Sequence, residues 1–228
     1  MVDVITPLFL ALIVSFAEYF GKSLDLQKKA YYRKIVSFTA GISVTYILLE
    51  LFPAFAAGAF EIHKLLFLSL LIGFISHHVI EKEIYKHNRA HELVRMLSIE
   101  ENTFYYVYHV VLGIVLVALM NRNPSEGIFF FVSILAYTVA SNLPSSPHPS
   151  RRRMAFLSTS TFLGALLSVF LVAYIPPMVE IVLIGFVAGV LLFTVTRHHI
   201  PYGKYGDIGF FSLGCILYTF FIGARWFL

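Results

Sequence analysis

Stretches of about 20 mostly apolar residues recur from one end of this chain to the other, with no polar block between them large enough to fold alone. That is the length a helix needs to cross roughly 30 Å of hydrocarbon, where every backbone N–H and C=O must be satisfied within the segment. Eight such segments are legible, at 4–20, 35–56, 64–83, 104–121, 127–144, 153–175, 178–197 and 208–227. The expectation is an all-α, polytopic membrane protein with eight transmembrane helices in a single transmembrane domain over 1–228. Composition excludes a soluble domain: 58% of residues are hydrophobic, 13% are charged, and 23 Phe and 13 Tyr exceed what a water-facing surface would carry.

The positions of Lys and Arg set the orientation, because these residues are retained on the cytoplasmic side. With both termini outward, Lys22, Lys28, Lys29, Arg33, Lys34, Lys82, Lys86, Arg89, Arg95, Arg151, Arg152, Arg153, Arg197 and Lys204 all fall inside. Only Lys64, Arg122 and Arg225 remain outside. The net charge of +4 is then spent next to anionic lipid, so the partners expected are membrane lipids and no nucleic acid is called for. Basic loops are expected to be cytoplasmic. The opening MVDVITP has neither a basic leader nor a small-residue cleavage site, so segment 1 is expected to stay as a helix. Cys215 is the one cysteine, which rules out a disulfide within the chain and a thiolate cluster.

Segments 2 and 7 carry a repeat. Phe38-Thr39-Ala40-Gly41 is followed twelve residues after its glycine by Pro53, and Phe186-Val187-Ala188-Gly189 twelve residues after its glycine by Pro201, a constant offset of 148. The Ala-Gly pair admits a close helix neighbour, and the proline disturbs the backbone ladder near the membrane face. Because the two segments cross in opposite directions, the copies have inverted topology, as in many secondary transporters. Segments 1–3 (1–86) and 6–8 (153–228) are then related triplets around a central pair, 104–144.

Eight helices, outward termini, inverted triplets, FTAGISVTYILLELFP in segment 2, GFVAGVLLFTVTRHHIP in segment 7 and GFISHHVIEK ending segment 3 together resemble the ZIP (Zrt/Irt-like) metal-ion transporters. The resemblance implies a 3+2+3 inverted-repeat bundle moving a divalent metal ion, zinc or another, as cargo. It implies alternating access by the triplets moving against the central pair, and it places Glu81 on the glutamate of the family's third helix. The family's ligand motifs in helices 4 and 5 are of the type HNxxDG and HExPxE. Matching Gly113 leaves Tyr108, His109 and Leu112 at the His, Asn and Asp positions, and matching Pro144 leaves Ser141 and Asn142 at the His and Glu positions. Only His109 could bind a metal there, and neither segment contains a carboxylate at these positions.

Ionisable residues inside a span cost a few kcal/mol and are read as functional by default. The metal-ligand candidates are Glu50, His77, His78, Glu81 and His109. His77 and His78 follow Lys64 by 13 and 14 residues, roughly 20 Å along a helix, and Glu81 shares a face with one of them. The bland reading is an interfacial helix end. Glu50 sits three residues before Pro53 with no base near it in sequence, suited to attract a cation at an outer vestibule; otherwise it is a water-exposed carboxylate. Glu18 has Lys22 at i+4, which points to a structural pair.

The expected function is passage of a divalent metal cation or another small solute across the membrane, and two other function classes stay open. Missing helix 4 and 5 ligands suit a non-transporting scaffold or subunit, within a homo-oligomer or membrane complex. Histidines gathered on the inner half, with the HxxxH spacing of His87 and His91, suit a membrane metalloenzyme, although HxxHH elements are absent.

Overall fold

The computed structural model describes residues 4–23, 31–87, 90–141, 151–171, 175–200 and 206–227. Every regular element among them is helical. In chain order they are α1 (Ile5–Ser23), α2 (Tyr32–Tyr46), a π-helical turn (Ile47–Leu51), α3 (Phe52–Ile62), a short 3-10 turn (Lys64–Leu66), α4 (Phe67–His87) and α5 (Ala90–Arg122). Then come α6 (Pro124–Ser141), α7 (Arg151–Ser158), α8 (Ser160–Leu171), α9 (Pro177–Thr194), a second π-helical turn (Val195–His199) and α10 (Ile208–Phe227). Among the described residues six stretches are long and apolar enough to cross a membrane: Tyr32–Ile62, Lys64–His87, Arg95–Arg122, Arg151–Phe170, Pro177–Arg197 and Ile208–Phe227. Two further apolar helices, Ile5–Gly21 and Pro124–Thr138, are shorter. The molecule is an integral membrane protein by these lengths and compositions.

Three boundaries differ from the sequence expectation, each for a local reason. Segment 2 continues without a break to Ile62, because the π turn absorbs Pro53. A proline ring crowds the carbonyl four residues back and has no N–H to give it. The chain responds by bonding Phe52 N–H to the Ile47 carbonyl, five residues back. The same bond recurs from Ile200 N–H to Val195 O at 3.1 Å, again at an offset of 148, although Pro201 itself lies outside the described residues. Segment 6 is divided at Thr159 into α7 and α8. There Ser158, Thr159 and Ser160 successively turn their hydroxyls back to the carbonyls of Met154, Phe156 and Leu157, at 2.8, 2.7 and 2.7 Å, a bonding habit that bends helices. Finally, α5 begins at Ala90 rather than near 104, since HELVRMLSIEE is rich in good helix formers and carries the helix past its apolar part.

Glycines set the tightest helix crossings. A Cβ at Gly41 of α2 would meet the Phe211 carbonyl oxygen and come within 2.9 Å of Cys215 N on α10; one at Gly214 would meet the Phe38 carbonyl. In the other copy, a Cβ at Gly189 of α9 would meet the Leu70 carbonyl and come within 2.7 Å of Phe74 N on α4, and one at Gly73 would meet the Phe186 carbonyl. Gly113 of α5 and Gly164 of α8 form a third such contact. Only glycine lets backbones approach this closely.

These three helix pairs run parallel. Along α2 and α10 the contacts advance together, from Ser37 and Asp207 (2.9 Å) through Tyr46 and Tyr218 (rings 6.5 Å apart) to Glu50 and Arg225 (2.7 Å). Phe74 with Phe193 and Glu81 with Arg197 show the same advance along α4 and α9. His109 with Thr161 and Ile114 with Ser168 show it along α5 and α8. α1, α5, α6 and α8 pack together, α2 packs on both α10 and α6, and α4 packs on α9. The core holds Leu112, Leu116, Phe130, Ile134, Ile184 and Leu191, all buried. Outward faces of α4 and α10 are apolar and exposed, as Leu71, Ile72, Ile216 and Phe220 illustrate, which suits contact with lipid.

Candidate functional site

At the centre of the bundle two ionisable side chains are wholly buried. Glu18 of α1 and His109 of α5 are both 0% exposed, and the Glu18 carboxylate bonds to Nδ1 of His109. Thr161 of α8 completes the arrangement: its hydroxyl donates to Glu18 Oε1 at 2.7 Å and lies 3.2 Å from His109 Nδ1. With the hydroxyl proton given to Glu18, the imidazole hydrogen is assigned to Nδ1, facing the carboxylate. Nε2 is left as the acceptor in the neutral ring, and it is buried without a hydrogen-bond partner among the described residues. Tyr105, one turn before His109, stacks on the imidazole with ring centroids 3.9 Å apart, and its phenol bonds with Glu18. Ser15, also on α1, accepts from Phe162 N at 3.3 Å and fixes the height of α1 against α8.

The sequence singled out His109 but assigned Glu18 to Lys22. Glu18 instead lies on the buried stripe Ala11, Val14, Ser15, Glu18, with the helical spacing that faces α1 into the core. The side chain of Lys22 lies outside the described residues. A signal was present: Glu18 is the single charged residue between Asp3 and Lys22, in the middle of FLALIVSFAEYF. Thr161 carried no signal, since one hydroxyl in STSTF resembles its neighbours until α1 is brought against it.

Each remaining candidate has a partner from a distant helix. Glu50 sits on the first π turn and is 8% exposed. Arg225 Nη2 donates to its Oε2 at 2.7 Å and Trp226 Nε1 to its Oε1 at 3.1 Å, so α10 supplies the base that the nearby sequence lacks. The Arg225 guanidinium also lies 5.4 Å from the Phe129 ring centroid. Glu81 of α4 makes a forked pair with Arg197 on the second π turn, at 2.6 and 3.1 Å. Arg197 Nη1 also reaches His78 Nδ1 at 3.5 Å. His77 Nδ1 is 3.9 Å from Glu81 Oε2, and its ring lies between Phe104 (5.0 Å) and Phe193 (5.8 Å). The shared face of His77 and Glu81 is therefore formed, around an arginine that occupies the carboxylate.

The five candidates thus lie at three separate places: Glu50 with α10, His77, His78 and Glu81 with Arg197, and His109 with Glu18. Among the described residues no three His, Cys, Asp or Glu side chains come together as a metal site would require. His87 Nδ1 donates locally to Glu83, while Asn142, Pro144 and His148, and the side chains of Ser141, His91, His198 and His199, lie outside the described residues. No family model matches this chain, and no curated protein matches it either.

Proposed function

We propose that the chain is a ZIP-like membrane transporter of eight spans that carries a small cation through the centre of the bundle. The observation that carries this reading is the Glu18–His109 pair. A carboxylate and an imidazole with no exposure, inside an apolar bundle, cost several kcal/mol to bury, and such groups mark ion and proton pathways in membrane proteins. His109 presents Nε2 to the cargo, and Glu18 and Thr161 fix its ring and tautomer, as carboxylates do for ligating histidines. Zinc or another divalent metal ion is the cargo that the family likeness implies. Its full ligand set would need water or further groups beside His109.

Several features support the architecture. Parallel pairing of α2 with α10, α4 with α9 and α5 with α8 is what alternation of eight spans requires of spans 2 and 8, 3 and 7, and 4 and 6. The π-bonded turn and the glycine crossing recur at the offset of 148 in α2 and α9, and each copy meets a parallel partner. These favour two inverted triplets around a central pair, and the Lys and Arg positions favour outward termini with cytoplasmic basic loops.

Uptake into vesicles containing the purified full chain tests the reading. Saturable flux of zinc, manganese or a monovalent cation is expected, lost in His109→Ala while helical content is kept. Absence of flux for every cation tried overturns it. The second reading, a scaffold with a transporter fold, would then stand, favoured by the ion pairs that tie Glu50 to Arg225 and Glu81 to Arg197.

A further inference from the structure

We infer that the central site recognises a small protonated amine, a cation carrying its own N–H donors, in preference to a bare divalent metal ion. This rests on the transporter reading and names its substrate class.

The walls around the buried pair are aromatic. Tyr105 stacks on His109 at 3.9 Å, Tyr108 stands edge-on to the same ring at 5.6 Å, and Tyr137 of α6 meets Tyr108 edge-on at 6.4 Å. Tyr137 is anchored in turn by a hydrogen bond with Thr194 of α9. Five helices therefore contribute to one enclosed cluster: Glu18, the three phenols, His109, Thr161 and Thr194. Phenol rings attract a cation through their faces, and the attraction is strongest where water is excluded. Tyr108 is 3% exposed and His109 0%, so bulk solvent does not reach them.

Three polar atoms in this cluster have no hydrogen-bond partner among the described residues: Glu18 Oε2, His109 Nε2 and the Tyr108 hydroxyl. Buried polar atoms are normally satisfied, so these orphans call for a donor. An ammonium group supplies what is missing, namely positive charge opposite Glu18 and several N–H bonds for Nε2 and the phenol oxygen. A divalent ion is served worse. It needs three or four strong ligands to replace its water, whereas the cluster offers one imidazole nitrogen and one carboxylate oxygen, Glu18 Oε1 being already bonded to His109 and Thr161.

The test uses labelled methylammonium with vesicles containing the full chain, and protein-free vesicles as the blank. Saturable uptake is expected, and tetramethylammonium, equally charged but without N–H donors, should not be carried. Glu18→Gln should abolish uptake. Because that variant disturbs a buried pair and could fail to fold, Tyr108→Phe provides an independent measure. It removes only the unpartnered oxygen and should weaken methylammonium affinity about tenfold. Zinc uptake without methylammonium uptake overturns this inference and leaves the transporter reading in place. Uptake of neither overturns both, and methylammonium uptake unchanged in Glu18→Gln and Tyr108→Phe overturns the location.

Discussion

Glu50 and Arg225 are 175 positions apart in sequence and 2.7 Å apart in space, an ion pair that joins the π turn of α2 to the end of α10. Residues 41 and 214 already hold these helices in backbone contact, so the pair closes a crossing that the glycines begin. Arg225→Leu leaves a nearly buried carboxylate unpaired and should lower stability by roughly 1–3 kcal/mol, less than for a fully buried pair because the arginine keeps some exposure. Glu50→Leu with Arg225→Leu should cost less than the two singles summed. Thermal unfolding of the four proteins in detergent measures the coupling, and strict additivity would show that the pair contributes nothing.

The central pair is expected to behave more steeply. Neither Glu18 nor His109 has solvent to fall back on, so Glu18→Leu alone should destabilise by about 3–5 kcal/mol. Glu18→Leu combined with His109→Met, which replaces both polar side chains by apolar groups, should recover much of that loss. A double variant less stable than either single would mean that the pair holds the fold together by more than mutual compensation.

Glycine crossings give a prediction with a built-in control. Gly41→Ala and Gly189→Ala each drive a methyl group into a neighbouring backbone, at an estimated cost of about 1–3 kcal/mol, and the two should match because their surroundings match. Nothing lies within 4 Å of a Cβ at Gly223. Gly223→Ala should therefore be neutral or gain up to about 1 kcal/mol from helix propensity. Equal losses at all three positions would remove close packing as the cause.

Orientation is open to a thiol test in a Cys215→Ala background. A cysteine at Glu61, exposed at the end of α3, should react with an impermeant reagent in intact cells, and one at Tyr85, exposed near the end of α4, should be protected. Labelling at position 85 from outside would reverse the outward placement of the termini.

How much of this was legible in the sequence depends on the range over which each feature acts. Apolar length is a local property, so the helices and the membrane were readable residue by residue. The close crossings at Gly41 and Gly189 were readable too, because an Ala-Gly pair within an apolar span is a local demand for a near helix neighbour. Partners were not. Nothing near Glu50 announces Arg225, and Arg197 reads as one more retained charge until α9 lies against α4 and brings it to Glu81. Glu18 was placed with Lys22 because i+4 proximity is all that one helix can offer, while its true neighbours come from α5 and α8. The division of segment 6 at Thr159 was likewise hidden, since three successive hydroxyls bend a helix without changing its hydropathy.

Trp226 is the one tryptophan of the chain, and its indole N–H is bonded to Glu50 Oε1 at 3.1 Å. The molecule thus carries its single indole on the very carboxylate that ties α2 to α10, and that indole can be excited selectively over the tyrosines. Emission from the unlabelled protein is then an optical readout of whether that end of the bundle is closed, available during cation addition, unfolding or reconstitution without introducing a probe.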